Sequence, residues 1–199
     1  MSNNTDTVKV WDPFVRIFHW TLVLSFFISY ITEEDFLTIH TFAGYTILTL
    51  IILRVIWGLI GTRHARFSDF TYSSQTIKEF IKDTLYLRAK RYLGHNPAGG
   101  AMIILMLISL SVTTLTGIAV YGIEEQAGPL SMFYTQKDSL WGDIFEEIHE
   151  FFANFTLLLV FIHVAGVIVE SIIHKENLVK SMIDGKKRSD TSSHQEGIL

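Results

Sequence analysis

The sequence predicts an all-α membrane protein, built as a bundle of four transmembrane helices. Hydrophobic residues make up 49% of the 199 residues, and the mean hydropathy is +0.33, which is high for a water-soluble domain. Four apolar runs are separated by polar connections, and each is near or above the ~18 residues that a membrane-spanning helix needs. The runs cover residues 14–31, 36–60, 101–121 and 151–169.

Capping signals set the expected ends of the helices. Asp12 suits the N-cap of the first helix and Pro13 its first turn. The segment 96–100, Asn-Pro-Ala-Gly-Gly, is a helix breaker ahead of the third apolar run. The four helices are therefore predicted at about 12–32, 36–61, 98–122 and 143–174.

The polar connection 62–97 is too long to be a bare loop, so it is expected to carry structure of its own. Ser73 or Ser74 can cap a helix that runs to about Arg91. One face of this helix is apolar and consists of Ile77, Phe80, Ile81 and Leu85. This pattern predicts an amphipathic helix at the membrane surface.

One membrane domain is expected over 9–188, with flexible tails at 1–8 and 189–199. Lys and Arg are distributed unevenly around it: seven lie in 62–100 and five in the tail from Lys175, whereas the two opposite connections hold only Lys137. The positive-inside rule then places both termini and the long connection in the cytoplasm. The outer surface is acidic, with Glu33, Glu34, Asp35, Glu124, Glu125, Asp138, Asp143, Glu146 and Glu147.

Four histidines lie in or at the ends of the apolar runs. With the orientation above, His19 and His163 fall in the inner half of the membrane, and His40 and His149 fall near its outer surface. His149 and His163 are fourteen residues apart on one helix, which is ~21 Å of rise with both side chains on one face. His19 is therefore predicted to face His163, and His40 to face His149.

The absence of cysteine narrows the chemistry that these histidines can serve. It excludes disulfides, iron–sulfur clusters, thiolate-bound metals and covalent haem attachment through C-x-x-C-H. Ionisable groups inside a membrane are costly and usually functional, although four histidines that only hydrogen-bond to neighbouring helices are an alternative. Pairing by depth favours two metal centres, each holding a b-type haem between two histidines of a helical bundle.

Glycine and arginine residues are predicted to lie near the two histidine pairs. Gly44 follows His40 by four residues and Gly166 follows His163 by three, so both leave room near a ligand, although glycine on a helix face also serves close packing. Arg54 and Arg16 are candidates to pair with propionates of the inner haem, and snorkelling to the lipid headgroups is an equal alternative for Arg16. His64, His95, His174 and His194 lie outside the apolar runs and are expected to be solvated or interfacial; contact of His174 with a quinone or a lipid is a minor alternative.

Several short motifs occur in a characteristic order along the chain. They are Trp11-Asp12-x-x-x-Arg16-x-x-His19-Trp20, His40-x-x-x-Gly44, Arg54-x-x-Trp57-Gly58, Gly61-x-x-x-Ala65-Arg66-Phe67, Tyr92-Leu-Gly-His95-Asn-Pro97-x-Gly-Gly100 and Glu147-x-His149-Glu-x-x-Ala-Asn154. In this order the set resembles the bacterial cytochrome b561 family, which includes the membrane cytochrome b subunits of nickel–iron hydrogenases. The resemblance extends over about Lys9 to Arg188.

The resemblance implies a four-helix cytochrome of the bacterial inner membrane that holds two b haems on His19, His40, His149 and His163. It implies electron transfer between the quinone pool, ubiquinone or menaquinone, and a periplasmic partner, either a hydrogenase or a c-type cytochrome. The Gly-His-Asn-Pro type of connection is most similar to members paired with c-type cytochromes. No nucleic acid partner is expected.

Three classes of function stay open at this point. The first is an electron-transfer subunit that has no chemistry of its own. The second is a self-contained oxidoreductase, either a superoxide:quinone enzyme or a quinol dehydrogenase. The third is a histidine-lined metal or proton transporter, which the pairing of the histidines by depth disfavours.

Overall fold

The computed structural model describes residues 7–33, 35–133 and 140–189, and within them the chain is mostly helical. Four helices are long and apolar enough to cross a membrane. They are α1 (Pro13–Thr32), α2 (Leu37–Ile60), α5 (Pro97–Glu124) and α6 (Leu140–Ile173). The predicted all-α class with four membrane-spanning helices is thereby confirmed.

Shorter elements lie between and after the long helices. The 62–97 connection contains a 3₁₀ turn (Arg63–Ala65), α3 (Phe67–Phe70) and α4 (Ser74–Leu85), and a second 3₁₀ turn (Ser131–Phe133) follows α5. After α6 come α7 (Leu178–Asp184) and a strand β2 (Lys186–Arg188), which pairs antiparallel with β1 (Thr7–Lys9).

Local capping explains where α1 begins. The Asp12 carboxylate accepts a hydrogen bond from the Val15 backbone N–H at 2.9 Å, which satisfies one of the free donors of the first turn. Its second oxygen accepts from the Thr62 hydroxyl at 2.6 Å and from Trp57 Nε1 at 3.1 Å. Asp12 therefore caps α1 and also fixes the end of α2 against it.

The amphipathic helix is shorter than the sequence suggested. Ser73 is its N-cap and accepts from the Thr76 N–H at 3.1 Å, but α4 ends at Leu85 and not near Arg91. Leu87 has a φ of +57°, a left-handed conformation that an α-helix cannot continue through. Ile81 and Leu85, at the end of the apolar face, are exposed by 45% and 78%.

Both ends of the domain carry secondary structure in the described residues. Residues 7–8 belong to β1, and residues 178–188 form α7 and β2. Asn177 caps α7 by accepting from the Lys180 N–H at 2.8 Å, and Gly185 ends it with a φ of +81°. The carbonyl of Gly185 then accepts from Val10 N at 2.8 Å and Trp11 N at 3.1 Å, so the two ends of the domain are hydrogen-bonded to each other. Residues 190–199 and 1–6 lie outside the described part of the chain.

The chain forms two compact units. Within the described residues, the first unit comprises 7–17, 57–101 and 164–189, and it contains α3, α4, α7, both strands and the adjoining ends of the long helices. Its core is a cluster of Val10, Trp11, Val15 and Ala65, on which Trp57, Leu93 and Met182 pack.

The second unit comprises 18–56 and 102–163 and contains most of the four long helices. Its buried apolar residues include Ile47, Ile51, Leu110 and Leu159. A buried hydrogen bond of 2.7 Å between Ser109 Oγ and Thr156 Oγ1 joins α5 to α6. Large apolar side chains on the outward faces of the helices are exposed, which is expected where lipid is the solvent.

Candidate metal centres

The structure brings the four membrane histidines together as two pairs, both within the second unit. The ring centroids of His40 on α2 and His149 on α6 are 5.9 Å apart, with the rings inclined by 69°. Those of His19 on α1 and His163 on α6 are 6.5 Å apart, with an inclination of 51°. These are the partners that depth along the sequence predicts, and α6 contributes one histidine to each pair.

The spacing within each pair suits a metal ion between the rings. Two imidazoles that ligate one ion from opposite sides, each through a nitrogen at ~2 Å, have ring centroids ~6 Å apart. Among the described residues no cluster of three or more His, Cys, Asp or Glu is arranged to hold a metal ion. Each site thus offers two axial nitrogen donors, which is the donor set for an iron whose remaining ligands come from a planar macrocycle.

Both rings of the pair His40–His149 are oriented by backbone carbonyls. His149 Nδ1 lies 2.8 Å from the Thr113 carbonyl oxygen of α5, and His40 Nδ1 lies 2.9 Å from the Ser29 carbonyl oxygen of α1. An imidazole that donates its Nδ1–H to a carbonyl presents Nε2 as a lone-pair donor. Both rings are therefore set up to ligate a metal through Nε2.

Gly117 on α5 determines how closely His149 can approach that helix. A Cβ at position 117 would lie 2.8 Å from Cε1 and 3.0 Å from Nδ1 of the His149 ring, closer than side chains normally pack. Only glycine leaves the ring in its place without a shift. The sequence-based prediction missed Gly117 and Thr113, because it assigned α5 no part in either site. A glycine inside a predicted membrane helix was the available signal.

The pair His19–His163 has a different environment. His19 Nδ1 is buried and has no hydrogen-bond partner within the described part of the chain. The Trp20 ring stands edge-on to the His19 ring at 5.0 Å between centroids. A buried, unsatisfied ring nitrogen beside a second histidine fits a site that a metal group completes.

The two glycines predicted to make room for a cofactor do stand beside open space. A Cβ added to Gly44 or to Gly166 would meet no atom within 4 Å. Gly44 lies one turn after His40 on α2, in the same unit as both histidine pairs. Space of this kind beside the His40 ring fits a flat macrocycle between helices.

Both arginines that are candidates to pair with haem propionates lie in the described part of the chain. Arg54, on α2, is 3% exposed, which is unusual for a guanidinium on a membrane-spanning helix. Arg16, in the first turn of α1, donates a hydrogen bond to the Ile183 carbonyl of α7, an interaction that the sequence did not reveal. The pairing of either residue with a haem propionate stays a prediction.

The remaining histidines have protein partners. His64 Nδ1 lies 3.0 Å from Asp69 Oδ2, and His174 Nε2 lies 3.2 Å from Glu170 Oε2. The His95 ring packs between Trp11 and Phe70, at centroid distances of 4.5 and 4.6 Å. His194 lies outside the described residues.

Comparison with known proteins decides the family. The model of the family described as prokaryotic cytochrome b561 matches residues 10–185. The chain belongs to this family. As a cytochrome b561 it is a multi-pass membrane b-type cytochrome that transfers electrons, and haem b is the group that its histidine pairs fit.

Relatives with similar sequences share one description, "Probable Ni/Fe-hydrogenase B-type cytochrome subunit". The relative from Rhizobium leguminosarum bv. viciae is 28% identical, over 91% of this chain and 89% of its own length. Those from Bradyrhizobium diazoefficiens and Rhodobacter capsulatus are 24% and 23% identical, over 92% and 91% of this chain and 86% and 81% of theirs. No solved structure matches the chain.

Proposed function

We propose that this cytochrome b561 carries electrons between a periplasmic nickel–iron hydrogenase and the quinone pool of the inner membrane, through two b haems. His40 and His149 hold the outer haem, and His19 and His163 hold the inner one. The observation that carries the proposal is the pair of opposed imidazoles at each depth, 5.9 and 6.5 Å apart between ring centroids. The quinone is ubiquinone or menaquinone.

In this proposal the residues of the chain bind the haems and tune their reduction potentials, and they do not react themselves. Bound haem b supplies reversible one-electron exchange at its iron. The two histidines of each pair would provide both protein ligands of the haem iron, so no substrate would bind to the iron itself. His149 and His163 stand ~21 Å apart along α6, and the Ser109–Thr156 hydrogen bond lies halfway between them, seven residues from each.

The hydrogen bonds differ between the two sites, and this difference supports a direction of electron flow. His40 and His149 donate to carbonyls, which makes their rings more electron-rich and lowers the reduction potential of the outer site. Arg54 lies fourteen residues after His40, hence on the same face of α2 at inner depth, where its positive charge favours the reduced state. Electrons then move from the outer to the inner site and on to quinone.

The partner is inferred from the relatives, because the sequence alone left a hydrogenase and a c-type cytochrome open. The relatives described above are named as hydrogenase cytochrome subunits, which favours the hydrogenase. No residue of the described structure favours the self-contained superoxide:quinone or quinol oxidoreductase.

The charge distribution supports an orientation with both termini in the cytoplasm. The described residues of the first unit include fourteen Lys or Arg and seven Asp or Glu, whereas those of the second unit include one and eight. The β1–β2 pairing brings the two ends of the domain together in the basic unit. By the positive-inside rule, that unit faces the cytoplasm.

Haem stoichiometry tests the two sites. A pyridine haemochrome assay on the purified protein should give two b haems per chain. His40→Ala and His149→Ala should each remove one haem, His19→Ala and His163→Ala should each remove the other, and His64→Ala should keep both. A single haem in the unaltered protein, or loss of the same haem from all four variants, would refute the assignment.

A reconstituted assay tests the partner. Liposomes that contain the protein, a quinone and a nickel–iron hydrogenase should reduce quinone when H₂ is supplied, and the rate should depend on both haems. The protein without hydrogenase should not reduce quinone from superoxide. Turnover of superoxide by the protein alone would instead establish the self-contained oxidoreductase.

A further inference from the structure

Three consecutive apolar side chains are exposed where α4 ends, outside the four membrane-spanning helices. Leu85, Tyr86 and Leu87 are exposed by 78%, 65% and 70%. Single apolar residues at a surface are common, but a contiguous group of large ones marks a contact surface. We call residues 85–87 the apolar turn and expect it to contact an apolar phase or partner outside the chain.

The apolar turn has a well-defined backbone. The Leu87 N–H donates to the Thr84 carbonyl at 2.9 Å, and the Arg88 N–H donates to the Asp83 carbonyl at 2.9 Å. The Arg88 side chain donates to Asp83 Oδ1 at 3.0 Å, and its guanidinium carbon lies 5.0 Å from the centroid of the Tyr86 ring. These contacts fix the backbone of the turn and leave its apolar side chains exposed.

The backbone conformation of Leu87 makes its exposed side chain more notable. Its φ of +57° lies in the left-handed region, which costs free energy for a residue with a Cβ and usually holds glycine or asparagine after a helix. A side chain that is 70% exposed contributes little burial to offset this cost. The leucine side chain at this position is therefore explained best by a contact outside the fold.

Cationic residues lie beside the apolar ones on α4. Four exposed residues share one sector of this helix, 100–200° around its axis from the buried Phe80, and we call them the exposed sector: Lys78, Ile81, Lys82 and Leu85. Glu79 and Asp83 lie on the opposite side of Phe80. Lysine next to apolar residues, without intervening carboxylates, is the pattern of a surface that meets lipid headgroups.

A contact with α6 brings this surface beside lipid. The Thr84 hydroxyl lies 3.4 Å from Glu170 Oε1, in the last turn of α6, and both residues belong to the first unit. Ile168 and Ile172, on either side of Glu170 in the sequence, are exposed by 53% and 70% on a membrane-spanning helix. Exposed apolar residues of such a helix face acyl chains, so α4 ends where the lipid-exposed surface of α6 ends.

We propose that the exposed sector and the apolar turn together bind anionic phospholipid at the membrane surface where α6 ends. The apolar side chains enter the boundary between headgroups and acyl chains, and Lys78 and Lys82 donate to phosphate oxygens. An acidic protein partner would match the same charges, but the contact of Thr84 with the end of α6 favours lipid. The proposal involves neither histidine pair and is independent of the proposed electron transfer.

Site-directed spin labelling tests the depth of the apolar turn, and it is practical because the chain has no cysteine. Full-length protein with a nitroxide on Leu87→Cys is reconstituted in vesicles of phosphatidylcholine and phosphatidylglycerol in equal amounts. The label should collide more often with oxygen, which concentrates in lipid, than with a water-soluble nickel chelate. The matched control is a nitroxide on Glu79→Cys, on the opposite side of α4, which should show the reverse preference.

A second measurement tests the lipid class. A fluorophore on Leu87→Cys should be quenched more by nitroxide-labelled phosphatidylglycerol than by nitroxide-labelled phosphatidylcholine. The enrichment should be up to ~5-fold per lysine at low salt and should fall as salt is added. Lys78→Gln with Lys82→Gln should bring the two lipids close to equal quenching. Lys9→Gln with Lys186→Gln removes the same charge from the β1–β2 pair and should keep the preference.

Circular dichroism and thermal unfolding in detergent show which variants fold, and Leu85→Cys provides a second labelling position if Leu87→Cys does not. Preferential collision with the nickel chelate at both positions would overturn the proposal. Protection of the label only after a soluble protein is added would also overturn it, in favour of a protein interface. Equal quenching by the two lipids in the unaltered background, or a preference that survives loss of both lysines, would overturn it as well.

Discussion

At the scale of single residues, Gly117 shows how a residue without a side chain can set the geometry of the proposed metal site at His149. The His149 ring lies against the backbone of α5, where it bonds to the Thr113 carbonyl at 2.8 Å. Gly117 makes this approach possible, because a Cβ there would lie 2.8 Å from the ring. The proposed outer haem therefore depends on a helix that supplies no ligand to it.

Gly117→Ala should disturb the outer haem selectively. The added methyl group must displace the His149 ring, at a cost of ~1–3 kcal/mol for overpacking, and this lengthens its bond to Thr113. We expect weaker retention of the outer haem and an altered low-spin EPR signal from it. Leu115→Ala, which removes an exposed side chain from the same helix, is the control and should leave both haem signals unchanged. An unchanged outer signal in Gly117→Ala would contradict the role of Gly117.

The sequence was informative about which histidines pair and uninformative about their surroundings. Histidines are rare in apolar runs, and depth along each helix suffices to pair them, so His19, His40, His149 and His163 could be grouped correctly. The hydrogen-bond acceptors of His40 and His149 are backbone carbonyls, which every residue carries. Which carbonyl an imidazole reaches depends on the rotation of each helix, and no residue type in the sequence records that.

At the scale of elements, the segment after α6 is held in place by a two-point ion pair. Arg91 Nε lies 3.1 Å from Glu176 Oε2, and Arg91 NH2 lies 3.0 Å from Oε1. The same carboxylate accepts a hydrogen bond at 2.7 Å from the backbone N–H of Arg188, the last residue of β2. Burial raises the pKa of the Glu176 carboxyl, but the hydrogen bonds from Arg91 and Arg188 outweigh it, so the pKa lies below its usual value.

The Arg91–Glu176 ion pair should stabilise the contact between the two ends of the domain at neutral pH, and this stabilisation should be lost in acid. Because the pKa of Glu176 is lower in the folded state, its contribution is present above the ordinary carboxyl range and is lost as the pH falls through the folded pKa. Arg91→Ala should cost ~1–3 kcal/mol at neutral pH, seen as ~10- to 100-fold faster hydrogen exchange at the Val10 and Trp11 amides.

Arg88→Ala provides the matched control for that measurement. Arg88 pairs with Asp83 at 3.0 Å, but both side chains are well exposed, at 62% and 42%. Exposed ion pairs contribute little, so exchange at the same amides should not change. Equal effects of Arg88→Ala and Arg91→Ala would show that the Arg91 pair has no special role.

The segment after α6, residues 174–188, has secondary structure that the sequence did not predict. Its residues are polar and charged, a composition typical of disordered ends. Its order depends instead on long-range partners, since Gly185 bonds to Val10 and Trp11, and Glu176 bonds to Arg91. The four long helices could be predicted because apolar length alone identifies them.

At the scale of the whole molecule, charge is separated strongly between the two units, and the acidic unit contains His40 and His149. Glu146, Glu147 and Glu150 lie close to His149 along α6. An acidic surface near the outer site attracts a partner whose docking surface is basic, and this attraction acts mainly on the rate of encounter.

Electron transfer from the proposed hydrogenase partner should therefore slow as the salt concentration rises. Replacing Glu146, Glu147 and Glu150 together by Gln should lower the rate at low salt and flatten its salt dependence. Stopped-flow reduction of the haems, with Glu79→Gln as the control on the other unit, measures both effects. A rate that is independent of salt in the unaltered protein would exclude electrostatic docking.

The pairing of β1 with β2 also has a mechanical consequence. Thr7 faces Arg188 and Lys9 faces Lys186, so the chain enters and leaves this small sheet at the same end. A force that pulls the two termini apart acts on one residue pair at a time, as in opening a zipper, and it does not load all the hydrogen bonds together. Pulling the termini in opposite directions should therefore open the strands at low force, well before it extracts any of the four long helices from the bilayer.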